Sequence, residues 1–306
     1  MRKIKTILFS LMAILCLGNL SSCSSSDDND GDGQLETPQY AADAAKYEIT
    51  DANAQVASIE FTESGQYIVV MNNAAQNAPQ AVVTHKMPSA IMRASSEYVG
   101  MYYGDYTIDE NGNYVLQDFG TVNINKDSSG TVVSVTIHSN KYGETWTYHA
   151  NRYTKTNANN SLSDRICRTW NFKSVGCCIK YSGKTLDETA SSFKELFAKL
   201  KAAGVETDGD DVEIGEIKQF IFTKSGSLII KSNSADLAAL PWKWTSNSSS
   251  EILVNTDYEW SSLFDLASST KVSFKSGQLV LKEEGPVDED EPSITMGWTI
   301  TFEEAK

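Results

Sequence analysis

Ile294-Thr295-Met296-Gly297-Trp298-Thr299-Ile300-Thr301-Phe302, near the C-terminus, decides the fold class. Ile294, Met296, Trp298, Ile300 and Phe302 alternate with Thr295, Gly297, Thr299 and Thr301. A period of two places the large side chains on one face of a strand and the small or polar ones on the other. The segment therefore reads as one strand of an antiparallel sheet with a single buried face.

Working back from it, the chain shows an internal repeat. Phe61-Thr62-Glu63-Ser64-Gly65 is answered by Phe222-Thr223-Lys224-Ser225-Gly226, each preceded by apolar residues (Ile59; Phe220 and Ile221) and followed by a strand-like run. Each reads as a hairpin with Ser-Gly at the turn. Tyr106-Thr107 then pairs with Trp244-Thr245, and Tyr114-Val115-Leu116 with Ile252-Leu253-Val254. Val122 and Ile124 precede Gly130 as Val272 and Phe274 precede Gly277. Both halves close on a tryptophan strand, Trp146-Thr147-Tyr148 and Trp298-Thr299-Ile300. Five matches in order indicate a duplicated domain. Roughly eight strands per half suit a small closed barrel or a tight sandwich.

One segment departs from the strand pattern. Thr185-Leu186-Asp187-Glu188 has the form of a capping box, and Leu186, Ala190, Phe193, Phe197 and Leu200 recur at helical spacing before Gly204. The expectation is one amphipathic helix over residues 186–203, packed against an end or side of the second domain.

The N-terminus carries an address. Arg2, Lys3 and Lys5 precede an apolar core over residues 7–17, long enough for a signal peptide and too short to span a bilayer. Leu20-Ser21-Ser22-Cys23 follows and looks like a bacterial lipobox, with cleavage between Ser22 and Cys23 and lipidation of the Cys23 thiol. Acyl chains on one residue would hold the protein stably on a lipid bilayer. The polar, acidic run over residues 24–33 reads as a flexible tether. It also resembles the surface-export signal of Bacteroidetes-type lipoproteins, which implies an outward-facing outer-membrane protein; a periplasm-facing one is the alternative. The expected organisation is a leader (1–22), a tether (23–42), a first β domain (43–150), a linker (151–162) and a second β domain (163–306).

Arg168-Thr169-Trp170-Asn171-Phe172 opens the second half and resembles the Gly-Thr-Trp opening strand of lipocalin-like domains. With the Phe-x-x-x-Gly hairpins, the closing Trp-Thr strand and the lipobox, the chain is similar to the lipocalin-like lipoproteins of Bacteroidetes-type bacteria. The likeness extends over residues 161–304 and more loosely over 43–150. It implies an all-β protein with one inserted helix: two tandem antiparallel lipocalin-like β-barrel or β-sandwich domains that bind rather than catalyse.

Charge and motif content narrow the function. With 26 basic and 40 acidic residues the net charge is −14, and loss of Arg2, Lys3 and Lys5 with the leader takes it to −17. Such a surface repels phosphate backbones, which excludes nucleic acid as a partner. No nucleophile elbow or phosphate-cradling loop occurs, so no enzyme class and no cofactor is indicated. His85, His138 and His149 have no carboxylate or cysteine at ligand spacing, and Cys167, Cys177 and Cys178 read as small core residues, with one disulfide and one free thiol as the alternative, rather than a metal site. The acids at 208–213 and 288–291 read as solvated loops. Aromatics supply the positive hint: Trp242, Trp244, Tyr258 and Trp260 crowd one passage, Tyr98, Tyr102, Tyr103 and Tyr106 the comparable one. Trp242, Trp244, Trp260, Tyr102 and Tyr106 are the candidate ligand-contacting residues, for a glycan or a small apolar molecule. The rival reading is a structural or protein-partner subunit of a surface complex; a glycan hydrolase ranks third.

Overall fold

The computed structural model describes residues 35–72, 100–153, 161–205, 217–232, 237–246, 250–256, 259–264, 266–287 and 293–305. The leader, Cys23, His85, Tyr98, Tyr258 and both acidic runs lie outside the described residues.

Two closed antiparallel eight-stranded barrels follow one another along the chain. The first comprises β1 (Ala45–Ile49), β2 (Val56–Phe61), β3 (Gln66–Met71), β4 (Met101–Ile108), β5 (Tyr114–Leu116), β6 (Gly120–Lys126), β7 (Val132–Ser139) and β8 (Glu144–Arg152). It closes by pairing β1 with β8, Tyr47 facing Arg152. A short helix α1 (Ser161–Ile166) leads into the second, which contains β9 (Thr169–Tyr181), β10 (Lys184–Ala190), helix α2 (Phe193–Ala202), β11 (Ile217–Phe222), β12 (Ser227–Ser232), β13 (Leu237–Trp244), β14 (Glu251–Thr256), β15 (Glu259–Ser261), β16 (Thr270–Lys275), β17 (Gln278–Pro286) and β18 (Ile294–Glu304). Strand β9 closes this barrel by pairing with β18 along most of its length, while β10 and β15 are additions to the eight-strand path.

Barrels, not sandwiches, result because every strand of the closed path has a neighbour on both sides, leaving edges only on the added β10 and β15. Alternation fills each interior: Ile59, Phe61, Tyr67, Val69, Phe119, Val135 and Ile137 in the first, Trp170, Phe220, Phe222, Leu228, Ile230, Leu281 and Phe302 in the second. Each such side chain stabilises its barrel by about 1.5–3 kcal/mol through burial.

The helix expected over 186–203 is shorter. Residues 184–190 form β10, paired with β9 from Lys184↔Tyr181 to Ala190↔Val175. The two residues between, Ser182 and Gly183, have φ of 50° and 76°, the conformation of the tight hairpin turn that matches strand twist. That turn and its ladder override the local capping pattern at Thr185. The true cap lies at Ser192, whose hydroxyl accepts from the Glu195 N–H at 3.1 Å, while the Glu195 carboxylate accepts from the Ser191 N–H and hydroxyl. Helix α2 then buries Phe193, Leu196 and Leu200 against the second core, with the Phe193 ring 5.9 Å from Phe172 and 6.2 Å from Trp298.

The repeat survives in atomic detail, with one change of register. Thr62 N–H donates to Gln66 O and Gly65 N–H to Thr62 O; Thr223 N–H donates to Ser227 O and Gly226 N–H to Thr223 O. Gly65 and Gly226 hold φ of 83° and 91°, which a side chain would strain. Tyr106, however, matches Trp242 and not Trp244. Tyr106 N–H donates to Gly65 O and its hydroxyl to Thr62 O; Trp242 N–H donates to Gly226 O and its indole to Thr223 O. The offset grows by two residues only beyond these positions, because the turn between Trp244 and Ile252 is two residues longer than that between Ile108 and Tyr114.

Candidate interdomain cleft

The repeated hairpins bring the barrels together. Strand faces that point away from each interior carry Ile68 and Met101 in the first barrel and Ile221 and Ile229 in the second, and these four form a buried apolar pad. Ile68 and Ile229 are matching positions of the repeat. Around the pad the turns interlock through polar contacts. Glu60 accepts from the hydroxyls of Ser225 and Ser227, the latter at 2.8 Å, and Glu63 accepts from the Lys224 N–H at 3.0 Å. The second barrel is again the donor where Thr169 N–H donates to the Ser64 hydroxyl at 2.9 Å. Glu60 and Glu63 are almost fully buried for this reason.

Beside the pad lies a half-open cleft of about 440 Å³, within the range of small-ligand sites. Gln66 on β3, Tyr103 and Asp105 on β4, and Gln117 and Asp118 after β5 form one wall. Thr169 on β9, Gln219 on β11 and Lys231 on β12 form the other. Strands position most of these groups, which limits their freedom before any ligand arrives. Gln66 spans the cleft floor: its amide donates to Ser64 O at 2.9 Å, and its carbonyl accepts from the Thr169 hydroxyl at 3.0 Å. Gln219 donates to the Asn171 side chain at 2.8 Å, and the Lys231 ammonium sits 5.1 Å from the centre of the Tyr103 ring. Burial, with Asp105 nearby, raises the Tyr103 phenol well above the usual range, so it stays protonated and available as a donor. The walls thus offer two carboxylates, one ammonium, amides and a phenol. That set can hydrogen-bond a polar molecule from two sides, and among the described residues no group of metal-ligating side chains accompanies it.

Of the aromatic passages singled out in the sequence, Tyr103 lines the cleft, and the five chosen as candidate ligand contacts lie elsewhere. Trp242 and Trp244 are 2% and 5% exposed and fill the second core; the Trp244 indole donates to the Ser163 hydroxyl. Tyr106 is buried in the first core. Tyr102 is half-buried there, its hydroxyl bonded to that of Tyr142 and its ring covered by Lys141 at 4.3 Å. Trp260 alone of the five is exposed, at 40%, with the Lys243 ammonium 3.9 Å over its ring. The structure therefore brings none of the five into the cleft.

Among the histidines and cysteines, one contact is new and one of three cysteines departs from the expected core placement. His149, without a carboxylate near it in sequence, meets Asp51 at 3.0 Å across the β1–β8 seam, and this bond holds the exposed Asp51 carboxyl below its usual range. Cys167 and Cys177 are buried free thiols. Cys178 is half-buried rather than core, because adjacent residues of β9 face opposite sides.

Most cleft residues escape sequence reading because Gln66, Asp105, Gln219 and Lys231 sit on strands, and Gln117 and Asp118 in a turn, with no motif to mark them, while Tyr103 and Thr169 fell within passages noted for other reasons. The one usable signal was the repeat itself, since its matching turns are what meet.

No protein-family model and no curated protein matches the chain. Among solved structures, a protein of unknown function from the DUF3598 family of Nostoc punctiforme PCC 73102 is similar over 86% of this chain and 94% of its own, at 8% identity and a TM-score of 0.19. A score that low supports no inference about the fold or role of this chain.

Proposed function

We propose that this is a lipid-anchored outer-membrane protein, displayed outward, that binds a hydroxyl-rich glycan in the cleft between its barrels without reacting with it. The observation that carries the reading is the polar lining of that cleft on both walls. Sugar hydroxyls donate and accept at once, so they suit Asp105 and Asp118 as acceptors, Lys231 as donor and the amides as both. A small apolar molecule suits the protein less, since the barrel interiors are occupied by their own buried side chains. An anionic ligand would work against the net charge of −14. The lipobox at Leu20-Ser21-Ser22-Cys23 and the acidic tether support the location, and the lipocalin-like opening strand accords with a binding role.

The non-catalytic part rests on the sequence, which holds no nucleophile elbow and no phosphate-cradling loop. Burial raises Glu63 and Glu283 above the ordinary range, as a general acid requires, but neither lines the cleft.

Calorimetric titration with a panel of neutral oligosaccharides tests the ligand. Lys231→Ala and Asp105→Asn should each weaken binding about tenfold or more, the scale of one hydrogen bond to a charged group. A panel that gives no heat, or variants that bind as the parent does, sinks the glycan reading. Shortened oligosaccharides after incubation would sink its non-catalytic part. The mass of the mature N-terminus should show an acylated Cys23; an unmodified one removes the membrane assignment.

Trp260 favours a second reading, a protein-partner role, because an exposed tryptophan is the kind of side chain that anchors interfaces. Loss of a defined surface partner on Trp260→Ala would support it.

A further inference from the structure

The two turns that clasp the barrels occupy matching places in the repeat but differ at one position: Glu63 in the first, Lys224 in the second. Glu63 is 3% exposed. Its Oε1 accepts from the Lys224 N–H at 3.0 Å, while its Oε2 is buried and, among the described residues, without a hydrogen-bond partner. The charges around it do not neutralise it. Glu60 on β2 adds a second acid, and the Lys224 ammonium is held at 2.6 Å by Asp164 of α1. Arg168, beyond α1, is committed to Glu304 and to backbone carbonyls of Glu36, Asp164 and Arg165. The Cys167 thiol and the Tyr106 phenol, both uncharged, face the same region. A carboxylate at this place keeps an unsolvated charge in the junction; a neutral carboxyl does not.

We propose that Glu63 is a proton switch in the barrel–barrel junction: protonated, it lets the hairpins close and sets the form of the cleft, and ionised, it loosens them. The consequence for a ligand rests on the cleft reading above; the switch itself does not. Burial is the main cause that lifts the Glu63 carboxyl from 4.5 to about 7, opposed by the N–H groups of Lys224 and of Glu63 itself and by the Lys224 ammonium, and reinforced by Glu60. A closed junction therefore binds this proton more tightly than an open one in which the carboxyl is solvated. Closure is strongest below pH 4.5, weakens as pH rises towards 7, and changes little beyond.

The test uses the full mature chain with carbon-13-labelled glutamate. One side-chain carboxyl should titrate with a midpoint near 7, and that resonance should vanish in Glu63→Gln. A distance between spin labels placed one on each barrel should lengthen over the same pH interval in the parent and stay constant in Glu63→Gln. A Glu63 midpoint near 4.5, or a distance that moves equally in the variant, overturns the proposal. If Glu63→Gln fails to fold, Lys224→Met serves: it keeps the backbone N–H, removes the ammonium and should push the midpoint higher. Glycan titration at pH 6 and pH 8 forms a separate arm. No binding at either pH defeats the proposed ligand and leaves the switch standing; equal binding at both, with a moving junction, defeats the coupling to the cleft.

Discussion

The two barrels share a plan and stabilise it differently. In the first, a tyrosine fastens the junction hairpin: the Tyr106 hydroxyl donates to Thr62 O at 3.3 Å. In the second, Trp242 does the same through its indole, to Thr223 O at 3.1 Å. The second barrel then adds what the first lacks in the matching place, the β10 hairpin and helix α2 between its first two path strands. It also has a buried carboxylate, Glu283, which gathers a loop by accepting from the hydroxyls of Ser262 and Thr270 and from the N–H groups of Phe264 and Leu266. That loop runs so close to β17 that a Cβ on Gly285 would lie 1.8 Å from Leu266 O. Duplication thus preserved the donor-to-turn bond while the residue providing it changed. What persists is the geometry at the junction, and what varies is how each barrel is closed and filled.

The largest break in this comparison should come from the core. Trp242→Ala removes a fully buried ring and should destabilise the second barrel by about 3–5 kcal/mol, read from denaturant unfolding. A loss under about 1 kcal/mol would mean the indole is not part of a packed core.

Glu283→Ala comes next. It strands two hydroxyls and two N–H groups in a buried place, so a loss of about 3 kcal/mol is expected, with faster amide exchange over residues 262–270. The first barrel should keep its exchange protection; if both barrels loosen together, they do not unfold as separate units.

Tyr106→Phe sharpens the comparison most cleanly, because it deletes one hydrogen bond and little volume. About 1 kcal/mol should be lost. Trp242→Phe deletes the matching bond but also packing volume, so its cost should exceed that of Tyr106→Phe; a cost below that of Tyr106→Phe would refute the equivalence drawn between them.

The smallest effect belongs to the insertion alone. Ser192→Ala should cost about 1 kcal/mol through loss of the helix cap, with no change in the first barrel. Glu195, held down to about 2 chiefly by the Ser191 hydroxyl and N–H, contributes above pH 4.5 and loses that contribution as pH falls through 2.

Much of this is written in short-range pattern. The alternation at Ile294, Ile300 and Phe302, and the paired Phe-Thr-x-Ser-Gly turns, were legible because strand period and turn chemistry are local properties. The false helix start at Thr185 shows where local reading fails. A capping box at 185–188 and a Ser-Gly hairpin turn at 182–183 compete, and seven ladder pairs with β9 outweigh the cap. Aligning Tyr106 with Trp244 failed for a related reason: a turn two residues longer shifts the frame, and only the hydrogen bonds to Gly65 and Gly226 reveal it.

Sequence alone settled that the chain is duplicated, strand-rich and acidic, since repetition, alternation and charge are properties of the covalent chain. Only the tertiary structure decided that the halves are closed barrels, that Trp242, Trp244 and Tyr106 are core, and that Asp105, Gln66, Thr169 and Lys231 share one cleft. Outward strand positions carry no periodic mark of what they will face. Their neighbours are chosen when Ile68, Met101, Ile221 and Ile229 leave water together and draw the two barrels into contact.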